Sequence, residues 1–134
     1  MSRVPPGGGA FDQNAINESL VNALDVTHQI VANPGTSPQP PFDATTSGRY
    51  VITKGSACVI VLPAPVSGRD DGLSLEFISS TAFAHQIQST GNLQDGAGHA
   101  NQLQFPAQPG SAVDLVAFGG KWNVVATNGA FTNT

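Results

Sequence analysis

A chain of 134 residues with a formal net charge of -4 fits one domain plus tails, and only 10% of it is charged, against about 25% in an ordinary soluble domain. The basic residues Arg3, Arg49, Lys54, Arg69 and Lys121 stand singly, which argues against nucleic acid as a partner, because no stripe of them can release counterions from phosphate. The longest apolar stretch, around "ACVIVLPAPV", is too short and proline-broken to span a bilayer; the start "MSRVPPGGGAFDQN" has no apolar export-signal core; and 15 Gly with 10 Pro disfavour long helices.

In chain order, Met1 to Asn14 is Gly- and Pro-rich with almost nothing to bury, and reads as an arm. In "NAINESLVNALDVTHQIVA", Ile16, Leu20 and Leu24 keep a helical spacing from an Asn14 cap, whereas Leu24, Val26, His28 and Ile30 alternate like a strand. A short helix running into an extended piece satisfies both. "NPGTSPQPP", Asn33 to Pro41, stiffens the chain into a linker. The organisation that follows is an arm and linker over 1–41 and a compact β domain over 42–134.

"RYVITKGSACVIVL" reads as a hairpin, two strands around a Lys54-Gly55-Ser56 turn. "PAPVSGRDDG" is a loop, since Pro63 and Pro65 block a central-strand role. "LSLEFIS" alternates Leu73, Leu75 and Phe77 against Ser74 and Glu76, "AHQIQST" is a mostly polar strand, and "GNLQDGAGHAN" is a small-residue loop. Leu103 and Phe105 share a face of the next strand, and a Pro-Gly turn leads to the closing hairpin. No repeat period is visible. The fold class expected is all-β: a small β-sandwich, jelly-roll-like, or a barrel of about seven strands, after an extended N-terminal arm with at most one short helix.

The closing hairpin, "AVDLVAFGGKWNVVATN", permits a register. A two-residue Gly119-Gly120 turn sets Phe118 opposite Lys121, Ala117 opposite Trp122, Val116 opposite Asn123 and Leu115 opposite Val124. Continued without interruption, it sets Asp114 opposite Val125 and Val113 opposite Ala126. The face with Trp122 is then entirely apolar, so the only Trp of the chain is expected in the core rather than on a ligand platform.

Residues able to carry chemistry are few. His28, His85 and His99, with Asp95 four residues before His99, match no ligand framework for a metal, and each His is expected to be a polar residue at a strand edge or in a loop. Asp70 and Asp71 of "SGRDDG" fit turn positions, pointing apart, with Arg69 free to pair with a neighbour. Glycoside hydrolysis needs two carboxylates held across a cleft, and the other acids of the body are Glu76, Asp95 and Asp114. Cys58, amid "ACVIVL", should be desolvated and packed, the opposite of an activated nucleophile. No catalytic residue, cofactor or metal is assigned, and the chain is not expected to be an enzyme.

The "Y-x-I-T-K" strand, the "L-P-x-P...G-x-D-D-G" loop, the "A-H-x-I" strand and the terminal "L-V-A-F-G-G-K-W" hairpin, spread over Gly48 to Gly129, together resemble the small trimeric β-modules of tailed-bacteriophage capsid decoration (cement) and head-fibre proteins. The resemblance implies a non-enzymatic virion protein, made in the host cytoplasm and placed on the capsid surface, that forms a homotrimer and binds the major capsid protein to stabilise the head. No nucleic acid and no membrane take part. In that light the arm is the docking strip, with Ile16, Leu20, Val21, Leu24 and Phe42 as its apolar anchors on capsid or a neighbouring subunit. The alternative is a phage fibre-tip or carbohydrate-binding module that stacks sugars on Trp122, Tyr50 or, foremost, Phe118 on the mixed face of the closing hairpin.

Overall fold

Short β-branched and alternating segments, cut apart by Gly and Pro, can satisfy their backbone hydrogen bonds only by pairing with one another. The computed structural model describes residues 27–30 and 44–134. Within them pairing yields ten strands: β1 (Thr27–Ile30), β2 (Gly48–Ile52), β3 (Val59–Val61), β4 (Ser74–Ser79), β5 (Gln86–Gln88), β6 (Leu93–Gln94), β7 (Gln102–Gln104), β8 (Ala112–Phe118), β9 (Lys121–Asn128) and β10 (Thr132–Asn133). A six-stranded sheet, in the order β1-β2-β4-β8-β9-β6, packs on a four-stranded sheet, β10-β7-β5-β3. The fold is an all-β sandwich, as the composition implies.

Alternation decides what fills it. On β4, Leu75 and Phe77 are buried while Ser74 and Glu76 face out. Tyr50 and Phe77 stack with ring centroids 5.4 Å apart, and Ile60, Ile87 and Leu103 meet them from the small sheet. Trp122 is fully buried opposite Ala117, and its indole Nε1 donates to the Pro63 carbonyl at 2.9 Å.

The strand order differs from a jelly roll, whose sheets are antiparallel. Four pairings are parallel, β1 with β2, β2 with β4, β3 with β5 and β6 with β9. The expected hairpin over 49–62 is corrected here, because β2 and β3 lie in different sheets and 53–58 crosses from one to the other. Both strands bury alternate residues toward the same core, so the local pattern of a hairpin and of an arch between sheets is identical. Each strand then pairs with its counterpart after the next crossover: Tyr50 with Phe77 and Ile60 with Ile87, at a constant offset of 27 residues. Ser47 to Leu62 is thus stacked on Ser74 to Ser89 as two rungs of a short solenoid, a repeat that the sequence reading does not find.

The boundary expected at 41/42 lies outside the described residues. β1, from the assigned arm, extends the large sheet beside β2, and Ile30 is fully buried. The alternation through His28 and Ile30 is the local signal for it. The short helix expected upstream lies outside the described residues.

The closing hairpin follows the expected register from Phe118–Lys121 to Leu115–Val124 and then departs from it. Asp114 pairs with Ala126 and Val113 with Thr127, because Val125 is an extra residue in a β-bulge and stands 58% exposed. Gly119 and Gly120, at φ 62° and 78°, supply the two left-handed positions that this tight turn demands.

Beyond β9, Gly129 holds φ +112°, and a Cβ there would meet Pro106 Cγ at 3.1 Å and Ser111 Oγ at 3.2 Å. Gly129→Ala is expected to cost about 1–3 kcal/mol, read by urea denaturation. Gly55→Ala, where a Cβ meets nothing within 4 Å, serves as the neutral control.

Candidate interaction surface

With Ile60, Ile87 and Leu103 pointing inward side by side, the alternate positions of the small sheet face outward. They are Val59 and Val61 on β3, Gln86 and Gln88 on β5, and Gln102 and Gln104 on β7, with Thr132 of β10 opposite Gln104. Gln86 Nε2 reaches Gln104 Oε1 at 3.5 Å. A slip of one residue would turn this row into the core, so the buried apolar residues fix it. Every Asp, Glu, Lys and Arg within the strands, namely Arg49, Glu76, Asp114 and Lys121, belongs to the large sheet instead. The small sheet therefore offers an uncharged face rich in side-chain amides. Its edge strand β3 pairs on one side only among the described residues, and Val59 on it is 40% exposed.

A buried polar cluster ties the rungs beneath this face. Cys58 and His85 occupy equivalent places in the two rungs. The Cys58 backbone N–H donates to His85 Nδ1 at 3.2 Å, Cys58 Sγ lies 3.4 Å from the same nitrogen, and Thr81 Oγ1 lies 3.0 Å from Nε2. A backbone N–H can only donate, so Nδ1 is the acceptor and the ring proton sits on Nε2, aimed at Thr81. The expectation of a polar edge histidine is corrected for His85, which is fully buried. Burial, more than the nearby Lys54 charge, lowers its pKa; burial likewise raises that of the Cys58 thiol, against a slight opposing pull from Lys54. This is a packing thiol, as expected, with its sulfur shielded from the nucleophile's role.

The acids serve the frame. Asp70 is buried, bonded by Arg69 at 2.8 and 2.9 Å and by the Val66 N–H at 2.7 Å, while Asp71 points away to accept the Gly119 N–H at 3.0 Å. Asp95 accepts from the backbone of Ala97 and His99 and from the side chains of His99 and Asn133. No group of three or more metal-ligating side chains forms among the described residues.

One carboxylate pair escapes sequence reading. Glu76 and Asp114 stand directly opposite on β4 and β8, and Arg49 pairs with Glu76 from β2. Burial first, then the hydrogen bond and charge of Glu76, push the Asp114 carboxyl up, while Arg49 opposes. The two stand on adjacent strands of one sheet, not on opposite walls of a cleft of the kind that catalytic carboxylates flank. Only the register puts them together, and no local spacing signals it.

Of the aromatic residues weighed for sugar stacking, Tyr50 and Trp122 are buried at 1% and 0% exposure, whereas Phe118 is 67% exposed. The arm anchors Ile16, Leu20, Val21, Leu24 and Phe42 lie outside the described residues. The sequence matches no protein-family model and no curated protein.

Proposed function

We propose that this chain is a non-enzymatic virion component, a trimeric capsid decoration protein that binds the major capsid protein and stabilises the head. The observation that carries the reading is the amide-lined outer face of the small sheet. Side-chain amides donate and accept alike, so copies of such a face can meet without the repulsion that a copied charge would bring. A second support is the place of β1 at the edge of the large sheet, from which an arm can reach a neighbour. The resemblance of the turn and core motifs to phage decoration modules supports the capsid as the partner.

Sedimentation velocity on the full chain tests the assembly. The expected mass is about three times 13.7 kDa, and Gln86→Glu or Gln102→Glu, each bringing like charges together across the copied face, should shift it to monomer with an unchanged far-UV spectrum. A monomeric parent, or a trimer indifferent to both variants, refutes the interface. Co-sedimentation with heads assembled from the major capsid protein tests the partner: binding should be lost in Leu20→Asp with Leu24→Asp, while the trimer persists.

A further inference from the structure

A cleft of about 630 Å³ opens between the 91–100 segment, which includes β6, and β9, within the range of about 300–1,000 Å³ that ligand sites occupy. Gln94, Asp95, His99, Lys121 and Asn123 line it. The Asp95 side chain, 3% exposed, organises the wall: it takes the Ala97 and His99 N–H groups at 2.8 and 3.2 Å, Asn133 Nδ2 at 2.9 Å and His99 Nδ1 at 2.7 Å. These bonds, the Ala97 N–H foremost, hold its carboxyl well below the usual range. With Nδ1 committed to Asp95, the half-exposed His99 ring has Nε2 left for a ligand.

Across the cleft, Lys121 Nζ donates to the Gly91 carbonyl at 2.7 Å and keeps further N–H donors. Asn123 Nδ2 is spent on the Val116 and Lys121 carbonyls at 3.2 and 3.4 Å, which leaves Oδ1 to accept. Gln94 pairs with Asn123 across β6 and β9 and adds an amide. Outside the residues that line the cleft, Phe118 stands directly opposite the lining residue Lys121 on the neighbouring strand β8, with Cβ atoms about 5 Å apart, and it is the most exposed large apolar side chain described.

From this constellation we infer that the cleft binds a neutral saccharide. Sugar hydroxyls both donate and accept, matching His99 Nε2, Asn123 Oδ1, the Lys121 ammonium and the Gln94 amide. The apolar C–H face of a sugar that extends past Lys121 matches the exposed Phe118 ring beside it. One acid and one lysine leave the cleft close to balanced, so an anionic ligand would gain a single ammonium while approaching Asp95. The saccharide reading does not rest on trimer formation or capsid binding, and its test reads neither.

The experiment is a two-dimensional amide NMR titration of the full chain with glucose, galactose, mannose and N-acetylglucosamine, and separately with glucuronate and inorganic phosphate. At least one neutral sugar should give saturable shifts confined to 91–100 and 118–124. In Phe118→Ala and in Lys121→Ala the affinity should fall by roughly tenfold or more, as for loss of a central anchor in an interface; both side chains are partly or largely exposed, and unchanged remote resonances verify the fold. No saturable shift with any neutral sugar, shifts only with glucuronate or phosphate, or undiminished affinity in Phe118→Ala each overturns the inference.

Discussion

Trp122→Ala is expected to remove about 3–5 kcal/mol of folding stability, enough to bring a domain of ordinary stability, about 5–15 kcal/mol, near its unfolding threshold. The indole is fully buried, backed by Ala117 across the antiparallel pair and by Leu93 across the parallel one. Taking such a ring out of water removes about 150–250 Å² of surface, worth roughly 4–6 kcal/mol at 25 cal/mol per Å². Its Nε1 also satisfies the Pro63 carbonyl, which anchors the loop between β3 and β4. Trp122→Phe keeps most of the apolar surface but loses that donor and part of the ring volume; a cost of about 1–3 kcal/mol, below that of Trp122→Ala, is expected. Urea denaturation followed by far-UV circular dichroism reads both, because the variants lack the only indole. A Trp122→Ala cost below about 1 kcal/mol would mean that the ring is not a core residue.

Trp122 was legible because its evidence is local. The Gly119-Gly120 turn sets the pairing, and counting outward from it places the ring on an all-apolar face. The count fails after Leu115–Val124, where Val125 drops out of the ladder; nothing in "NVVAT" marks which valine is the extra one. Alternation likewise finds β4 and its buried Leu75 and Phe77. What it cannot do is assign a strand to a sheet, and so β2 and β3 pass for a hairpin. The repeat of 27 residues is hidden for a related reason: only positions facing the core are alike between rungs, Tyr50 with Phe77 and Ile60 with Ile87, while equivalent outward positions such as Arg49 and Glu76 have opposite chemistry.

The candidate surfaces fall on the far side of that limit. Four glutamines read separately are unremarkable, and they form a face only once β5 and β7 are aligned through Ile87 and Leu103. Asp95 and His99 are near enough in sequence to be noticed together, but Lys121 and Asn123 join them through the pairing of β6 with β9. Phe118 alone was identifiable in advance, because the mixed face of the hairpin follows from the same turn that buries Trp122.

His85 provides the second large effect, and it carries a pH signature. His85→Ala empties a fully buried site and leaves the Cys58 N–H and the Thr81 hydroxyl without their partner, for a combined cost of about 2–4 kcal/mol. The parent should also lose stability as the solution is acidified. Nδ1 accepts a backbone N–H, so protonating it would set two donors against each other, and burial opposes the charge as well. The folded-state pKa therefore lies below the ordinary value of 6.5, and in the interval between them the unfolded chain binds the additional proton. Stability from this source is complete above pH 6.5 and declines as pH falls toward the folded-state value, with a limiting slope of about 1.4 kcal/mol per pH unit. Asp114, whose pKa is raised, contributes with the opposite sign, its stability lost as pH rises; the decisive quantity is thus the difference between parent and His85→Gln, which retains an amide donor but does not titrate. Urea midpoints from pH 8 to pH 5 should fall in the parent by more than in His85→Gln. Equal pH dependence in the two would mean that the imidazole is not held as a neutral acceptor between the rungs, and the tie between Cys58 and His85 would have to be abandoned.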